Sequence, residues 1–321
     1  MKYSYCGLSG LQLPVISLGL WHNFGFNDNF DEAKKMICYA FEKGVTHFDL
    51  ANNYGPPPGS SETNFGKILK ENLDSHRDEI IISSKAGHLM WPGPYGDGSS
   101  RKNLMASINQ SLKRTGLEYF DIFYSHRYDG VTPVEETMQA LIDIVKQGKA
   151  LYIGISKYPP EEAKQAMSFL KKQHVPCLIF QDKYSMLHRK PEEEIFDIVE
   201  KEQTGFIGFS PLAQGLLSDK YLNEIPPTSR AANPDGFLKR EEVTQKIVSI
   251  VRQLNIIANE RQQSLAQMAL AWVLRRDVVT SVIVGTSSIE QLQNNLKTID
   301  NISFNDNELK RIDSILEGAA Q

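Results

Sequence analysis

Eight short apolar segments, each followed by a helical pattern, predict that this 321-residue chain is an α/β protein built as a (β/α)8 TIM barrel. The segments are near-continuous apolar runs, which are typical of parallel strands covered by helices. A doubly wound sheet is the alternative, but no G-x-G-x-x-G turn follows an early strand. Because a barrel buries its strands in one layer, we expect a single domain over residues 1–321.

The eight predicted strands are short. We place them at 17–20, 45–49, 80–85, 120–125, 151–155, 178–181, 206–209 and 282–284. Ahead of them, the segments 3–8 and 11–16 flank Ser9 and Gly10 and predict an N-terminal β-hairpin.

Apolar residues at helical spacing predict the connections between the strands. Pro133 suits the first turn of one helix, and Gly44 ends another. A connection at 210–240 is rich in Gly, Pro, Ser and Asn, and extra helices follow it near the C-terminus. We place the helices at 31–43, 60–73, 101–115, 133–147, 159–173, 191–202, 241–260, 264–275, 288–298 and 306–317.

Composition narrows the classes of function. A net charge of −4 gives no electrostatic basis for binding nucleic acid or an anionic membrane. Cys6, Cys38 and Cys177 show neither metal-ligand spacing nor a disulfide framework, so we expect no metal and a reducing compartment. The first residues lack the apolar core of a signal peptide, and no stretch of 18 apolar residues occurs. We therefore expect a soluble cytoplasmic protein.

Four polar residues stand at or just beyond the ends of three successive predicted strands. Asp49 ends the second strand and Tyr54 follows it, Lys85 ends the third strand, and His126 follows the fourth. In a (β/α)8 barrel the chemistry lies at this end, and neighbouring strands are roughly 5 Å apart. We expect the four side chains to converge. Taken singly, Asp49 could be a helix cap, Lys85 a solvated lysine and His126 a core histidine.

The chemistry that this group permits is proton transfer to an oxygen. A free tyrosine has a pKa near 10, and a buried lysine ammonium beside Tyr54 would lower that pKa. Asp49 would hold Lys85 charged, and His126 would orient a carbonyl oxygen by a hydrogen bond. The result is an acid that protonates an oxygen while hydride reaches its carbon.

Long strings around these residues resemble the aldo-keto reductases over the whole chain. Within that superfamily the chain is most similar to the branch of bacterial L-glyceraldehyde-3-phosphate reductases and potassium-channel β subunits. The resemblance implies that Asp49, Tyr54, Lys85 and His126 form the family's catalytic tetrad, with Tyr54 as the acid in reduction. The strings are GLWHNFG at 19–25, FDLANNYGPPPG at 48–59, MWPGPYG at 90–96 and DIFYSHR at 121–127.

The resemblance also implies an NADP (NADPH) site. Ser156 and Gln181 match the residues that bind the nicotinamide carboxamide, and Phe209 matches the ring that stacks on it. Lys220 and Arg230 match a cationic clasp on the diphosphate. A helix N-terminus suits the adenosine phosphate on physical grounds, although Ser287 there could be an ordinary N-cap. The remaining matched residues are Trp21, Ser210, Pro211, Leu212, Gln214, Gly215, Gly285, Gln291 and Asn295.

Two positions depart from the family pattern. Lys157 stands where many of these reductases place an asparagine on the carboxamide. Ser288 stands where close relatives often carry an arginine near the 2′-phosphate, which weakens the implied preference for NADP.

The implied substrate pocket is walled mostly by aromatic rings. Arg127 and the backbone amides of loop 86–100 are candidates for a substrate phosphate. Trp91 and Tyr95 could equally be packing residues of a rigid loop. The implied wall consists of Trp21, Tyr54, Trp91, Tyr95 and His126.

We therefore expect a cytoplasmic reductase that transfers hydride from NADPH to a small aldehyde. L-glyceraldehyde 3-phosphate and methylglyoxal are the expected substrates, and the oligomeric state stays open, a homo-oligomer included. The alternative is a cofactor-sensing binding module with weak turnover, like the channel β subunits. Those proteins have an asparagine at the position of His126, so this histidine favours the enzyme.

Overall fold

A computed structural model, which describes residues 1–227, 229–233 and 236–317, confirms the predicted barrel. Eight parallel strands close on themselves in chain order, and the last pairs with the first. The barrel strands are β3 (Ile16–Gly19), β4 (His47–Asp49), β5 (Ile81–Ala86), β6 (Phe120–Ser125), β7 (Ala150–Ser156), β8 (Cys177–Lys183), β9 (Gly205–Phe209) and β10 (Val279–Val284).

The N-terminal hairpin is present but shorter than predicted. Its antiparallel strands are β1 (Tyr3–Tyr5) and β2 (Gln12–Pro14). The Cys6 N–H donates to the carbonyl of Leu11, the residue opposite it, so one further hydrogen bond joins the two chains beyond the assigned strands. Cys6 and Leu13 are buried against inward-facing residues of four barrel strands, so the hairpin closes the N-terminal end of the barrel.

Helices surround the barrel, and four of the predicted ones are divided or change type. The segment 60–73 begins as an α-helix but continues from Leu69 as a π-helix. The segment 191–202 is interrupted by a turn at Ile195. The segment 241–260 begins with a separate 3₁₀ turn at Arg240–Glu242, and the segment 288–298 continues from Lys297 as a 3₁₀-helix. The α-helices are α1 (Phe30–Glu42), α2 (Ser60–Ile68), α3 (Arg101–Thr115), α4 (Val134–Lys146), α5 (Pro160–Lys172), α6 (Lys190–Glu194), α7 (Phe196–Glu202), α8 (Gln245–Glu260), α9 (Leu265–Leu274), α10 (Ile289–Leu296) and α11 (Asp306–Glu317).

Alternation along the strands separates side chains that pack outward on the helices from side chains that fill the barrel interior. Phe48 points outward and packs on Phe65 of α2, with ring centroids 5.5 Å apart. Its neighbours His47 and Asp49 point inward, as a two-residue period requires. In the described part of the chain, no helix combines the length and hydrophobicity needed to cross a membrane.

Candidate active site

The four predicted tetrad residues converge at the C-terminal end of the barrel. The Lys85 ammonium donates to Asp49 Oδ2 at 2.6 Å and to the Leu50 carbonyl at 2.6 Å. The Tyr54 hydroxyl lies 3.5 Å from the same ammonium. The ring of His126 lies edge-on to that of Tyr54, with centroids 5.9 Å apart.

Strand register explains this convergence. Asp49 is the last residue of β4 and pairs with Ser83 of β5. Lys85 follows Ser83 by two residues, so both side chains point into the barrel. His126 directly follows β6, and its N–H donates to the Ala86 carbonyl. Lys85 is fully buried and Asp49 is 2 % exposed, so this ion pair lies where water screens it little.

Each oxygen of the Asp49 carboxylate has its own donors. Oδ2 accepts from Lys85, whereas Oδ1 accepts from Ser83 Oγ at 2.7 Å and from Gln181 Nε2 at 3.2 Å. Gln181 was predicted to bind the nicotinamide carboxamide, and in this structure its amide contacts the tetrad. Hydrogen bonds to an ionised group are among the stronger ones in proteins. They fix the carboxylate plane and therefore the position of Lys85.

Below Asp49, a chain of hydrogen bonds centred on His47 crosses the barrel interior. His47 Nε2 lies 3.0 Å from Ser83 Oγ, and Nδ1 lies 2.8 Å from Ser17 Oγ. Ser17 in turn lies 2.7 Å from Ser281 Oγ, and Ser281 Oγ lies 2.7 Å from the Pro14 carbonyl oxygen. These contacts join strands β10, β3, β4 and β5 behind the tetrad.

The tautomer of His47 follows from its partners. Burial lowers the pKa of His47 to about 4, so the ring is neutral at pH 7. The single hydroxyl hydrogen of Ser83 goes to the Asp49 carboxylate, so Nε2 must donate to Ser83. Nδ1 then accepts from Ser17, so the single hydroxyl hydrogen of Ser281 serves either Ser17 or the Pro14 carbonyl, but not both. His47 therefore connects the serine that holds Asp49 to the far side of the barrel.

The expected lowering of the Tyr54 pKa is wrong for this structure. Burial, with a further contribution from Asp49, raises the pKa of the phenol well above its usual value. Burial also lowers the pKa of Lys85, and Asp49 opposes that shift. The desolvation of a phenolate outweighs the attraction of an ammonium 3.5 Å away. Tyr54 is therefore a protonated donor at neutral pH.

His126 is a buried, neutral imidazole. Burial, and then the positive charges of Lys85 and Lys157, lower its pKa well below the usual value. Within the described residues, no hydrogen-bond partner satisfies its Nδ1 atom. An unsatisfied buried nitrogen is uncommon and points to a partner that binds there.

Unpartnered polar atoms also occur at two predicted cofactor residues. Ser156 Oγ and both side-chain amide atoms of Asn295 are buried without a hydrogen-bond partner in the described chain. Ser156 lies at the end of β7 beside Gln181, and Asn295 lies in α10. Because such groups are costly when unpaired, these positions fit a polar ligand that spans from the barrel mouth to α10.

The loop after β9 is held in an uncommon backbone conformation. Ser210, Ala213 and Gln214 all have positive φ angles, between 46° and 62°. Such strain in residues other than glycine clusters at ligand-binding sites. Phe209 precedes this loop and is partly exposed, and Pro211, Leu212 and Gly215 lie within it.

The predicted cationic clasp and the adenosine turn lie close together. Arg230 Nη1 donates to Gln214 Oε1 at 2.7 Å, and a Cβ at Gly285 would lie 3.9 Å from Arg230 Nη2. Gln291 Oε1 accepts from the Ser287 amide at 2.8 Å. The N-cap of α10 is Ser288, so the reading of Ser287 as the cap is wrong. Lys220 is exposed on the same connection.

The aromatic wall is partly as predicted. Trp21 lies 6.1 Å from Tyr54 between ring centroids. Tyr95 is 59 % exposed, and its carbonyl accepts from Asn103. Trp91 is partly exposed on the same loop. The pocket roles of Trp91 and Tyr95 stay predictions.

Three residues near the site were not predicted. Phe237 packs on Trp21 with centroids 4.5 Å apart, and His88 packs edge-on against His126 at 4.5 Å. Asn23 Nδ2 donates to the Thr286 carbonyl and joins two loops of the barrel mouth. Phe237 and Asn23 carry no signal in the sequence, whereas a histidine three residues beyond a predicted strand end could have been noticed.

Comparison with known proteins agrees with this geometry. The chain matches the Aldo/keto reductase family over residues 15–317. It is 51% identical to L-glyceraldehyde 3-phosphate reductase from Escherichia coli (strain K12), over 98% of this chain and 92% of that protein. It is 34% identical to a probable voltage-gated potassium channel subunit beta from Arabidopsis thaliana, over 94% of this chain and 92% of that protein. The chain therefore belongs to the Aldo/keto reductase family of oxidoreductases.

Proposed function

We propose that this protein is an NADPH-dependent reductase in which Tyr54 protonates the oxygen of a small aldehyde. One observation carries the proposal: a fully buried lysine bonded to Asp49 lies 3.5 Å from a tyrosine hydroxyl at the barrel mouth. Burying the charge of a lysine costs free energy, and a lysine with a purely structural role would not need a tyrosine hydroxyl beside it. The pair therefore favours a catalytic role.

The residues divide the proton transfer among them. Tyr54 is protonated at neutral pH and gives its hydroxyl proton to the carbonyl oxygen. Lys85 stabilises the phenolate that remains, and Asp49 keeps the ammonium in place. His126, being neutral, donates a ring N–H to the same oxygen. When bound, NADPH supplies the hydride that the carbonyl carbon receives.

The cofactor proposal rests on the unpartnered groups and on charge. Ser156 would donate to the nicotinamide carboxamide and Asn295 to the adenosine end. Arg230 lies at the Gly285 turn and would offer a cation to the diphosphate. NADPH is the proposed cofactor, with a reduced margin over NADH because Ser288 offers no charge.

The substrate proposal draws on the bacterial relative. Its name specifies L-glyceraldehyde 3-phosphate, and we extend that substrate to this chain, with methylglyoxal as a second small aldehyde. The competing function is a binding module, since one relative is named a channel subunit. His126 favours catalysis, because its ring lies against Tyr54.

We also propose one domain over residues 1–321 and a cytoplasmic location. The family match covers residues 15–317 without a break. Cys6, Cys38 and Cys177 are free, which is the usual state in a reducing compartment.

The test is the variant Tyr54→Phe, which keeps the aromatic ring and removes the hydroxyl group that would donate the proton. General acid catalysis contributes about 10²–10⁴-fold, so we expect a loss of kcat of that size. The NADPH dissociation constant, measured by fluorescence titration, should not change. Tyr39→Phe, on α1 outside the barrel mouth, is the control. Wild-type turnover in Tyr54→Phe would remove this residue from the mechanism.

A further inference from the structure

A second polar cluster lies beside His126 and takes no part in the proton transfer. It is formed by His88, Arg127 and Lys157, which follow β5, β6 and β7. Lys157 Nζ lies 3.0 Å from His88 Nε2, and the His88 ring lies edge-on against His126 at 4.5 Å. The cluster therefore adjoins the tetrad at the same end of the barrel.

The cluster has an excess of positive charge. Arg127 donates to the Gly87 carbonyl at 2.9 Å and pairs with Asp97 at 2.8 Å. In the chain as described, no carboxylate lies within ion-pair distance of Lys157, although Asp182 of β8 faces it from further away. Burial, followed by Lys85 and Arg127, lowers the pKa of Lys157 to about 8. An anion here would relieve these repulsions.

The hydrogen bond between Lys157 and His88 fixes the donors of the cluster. Lysine has donors only, so His88 Nε2 must be the acceptor and carries no proton. Burial and the charge of Lys157 lower the pKa of His88 to about 4, so the ring is neutral and its hydrogen is on Nδ1. Among the residues that the structure describes, the Lys157 ammonium and His88 Nδ1–H are thus two donors to which no carboxylate is hydrogen-bonded.

The backbone holds Lys157 in place. Its φ is +54°, which is uncommon for a residue with a side chain. Its N–H donates to the Gln181 carbonyl at 3.1 Å, which anchors this conformation. Positions with such backbone strain concentrate at ligand sites.

We propose that Lys157 and His88 bind the phosphate monoester of an aldehyde whose carbonyl oxygen lies at Tyr54 and His126. The proposal rests on the proposed reductase function and assigns the anionic end of its substrate. His126 contacts both Tyr54 and His88, so a short substrate reaches from one group to the other along this ring. A phosphate dianion offers several acceptor oxygens to the two donors, and its charge matches the unpaired lysine.

The experiment compares two aldehydes that differ only in the phosphate, L-glyceraldehyde 3-phosphate and L-glyceraldehyde, at saturating NADPH. Losing a charge-assisted hydrogen bond costs about 10- to 100-fold in affinity, so Lys157→Met should raise KM for the phosphorylated aldehyde by that factor. Its KM for L-glyceraldehyde and its NADPH dissociation constant should not change. Lys157→Arg should restore part of the preference, and His88→Phe should lose it selectively.

Lys183→Met is the matched control, because Lys183 is an exposed lysine at the end of the next strand. An equal rise of KM for both aldehydes, or weaker NADPH binding, would overturn the phosphate assignment. So would an equal loss with succinic semialdehyde, which carries a carboxylate. A wild-type enzyme that reduces L-glyceraldehyde but shows no preference for its phosphate leaves the reductase function standing and ends this inference. A wild-type enzyme that reduces neither aldehyde would refute both the proposed reductase function and this inference.

Discussion

Asp49 is a buried carboxylate, and its surroundings determine the geometry of the site more than the stability of the fold. A buried ion pair such as Asp49 with Lys85 often contributes little net stability, because both charges lose their hydration. The role of this ion pair is to position the ammonium of Lys85. Ser83 and Gln181 hold one oxygen while Lys85 takes the other, so the ammonium has one place beside Tyr54.

The variant Ser83→Ala tests this positioning. A hydrogen bond to a charged group contributes about 1.5–3 kcal/mol, so we expect kcat to fall by about tenfold or more. The NADPH dissociation constant should not change, because Ser83 lies below the tetrad. The matched control is Ser84→Ala. Ser84 follows Ser83 in the same strand, but its hydroxyl points away from the barrel interior and donates to Glu62 of α2. The kcat of this variant should therefore stay unchanged. Equal effects of the two variants on kcat would mean that Ser83 acts only through the stability of β5.

Sequence alone predicted the tetrad but not the residues that support it. Tyr54, Lys85 and His126 could be found because each is a polar residue at or beyond a predicted strand end. His47 and Ser83 lie inside strands that otherwise consist of apolar runs, so only the register shows that they face Asp49. The sign of the Tyr54 pKa shift also escaped prediction, because it depends on the depth of burial.

Most helix bounds were predicted closely at both ends, but α8 begins at Gln245 instead of 241, and α2 ends at Ile68 instead of 73. Ser100 caps α3 through its side chain, and such a residue is visible in a sequence, whereas the cap of α8 at Thr244 was missed. The break after Ile68 and the interruption at Ile195 carry no comparable signal. The close approach of α2 and α3 depends on Gly66, where a Cβ would lie 2.4 Å from the Thr115 carbonyl oxygen. Such a contact follows from packing between helices, which local patterns do not contain.

The start of α10 gives a prediction about cofactor choice. Ser288→Arg would place a guanidinium near the proposed 2′-phosphate site, and a charge-assisted hydrogen bond should tighten NADPH by about 10- to 100-fold. NADH binding should stay unchanged, because NADH lacks that phosphate. Dissociation constants from fluorescence titration at one salt concentration measure both.

Ser288→Ala is the control for this helix start. Ser288 Oγ accepts from the Gln291 amide, so either substitution loses a cap worth about 1 kcal/mol of stability. The alanine variant should therefore lose stability without a gain in NADPH affinity. Equal tightening of NADPH and NADH by the arginine would show that residue 288 does not face the 2′-phosphate.

At the scale of the whole molecule, the two ends of the barrel have different roles. The C-terminal end carries the tetrad and the strained loop after β9. The N-terminal end is closed by the hairpin, and the His47 chain reaches the Pro14 carbonyl at that end. A polar connection therefore runs through an otherwise apolar interior, and it places a neutral histidine where charge is costly.

Buried histidines make the folded protein sensitive to acid. Burial lowers the pKa of His22, His47 and His88 to about 4, and that of His126 well below its usual value. An unfolded histidine titrates near 6.5, so between pH 6.5 and pH 4 the unfolded state binds more protons. Stability therefore falls as the pH drops through 6.5. Asp182 acts in the opposite direction, because burial raises its pKa to about 6.

We expect the free energy of unfolding to be about 2–4 kcal/mol lower at pH 5.0 than at pH 7.5, because the histidines outnumber the opposing carboxyl groups, Asp182 and Asp121, whose pKa burial raises. Urea denaturation of the cofactor-free protein at constant ionic strength measures this difference. His47→Gln, which keeps a donor and an acceptor between Ser17 and Ser83 but cannot titrate, should reduce it. Equal stability at the two pH values would show that these histidines bind protons in the folded state, and the neutral, Nε2-protonated form of His47 would then be wrong.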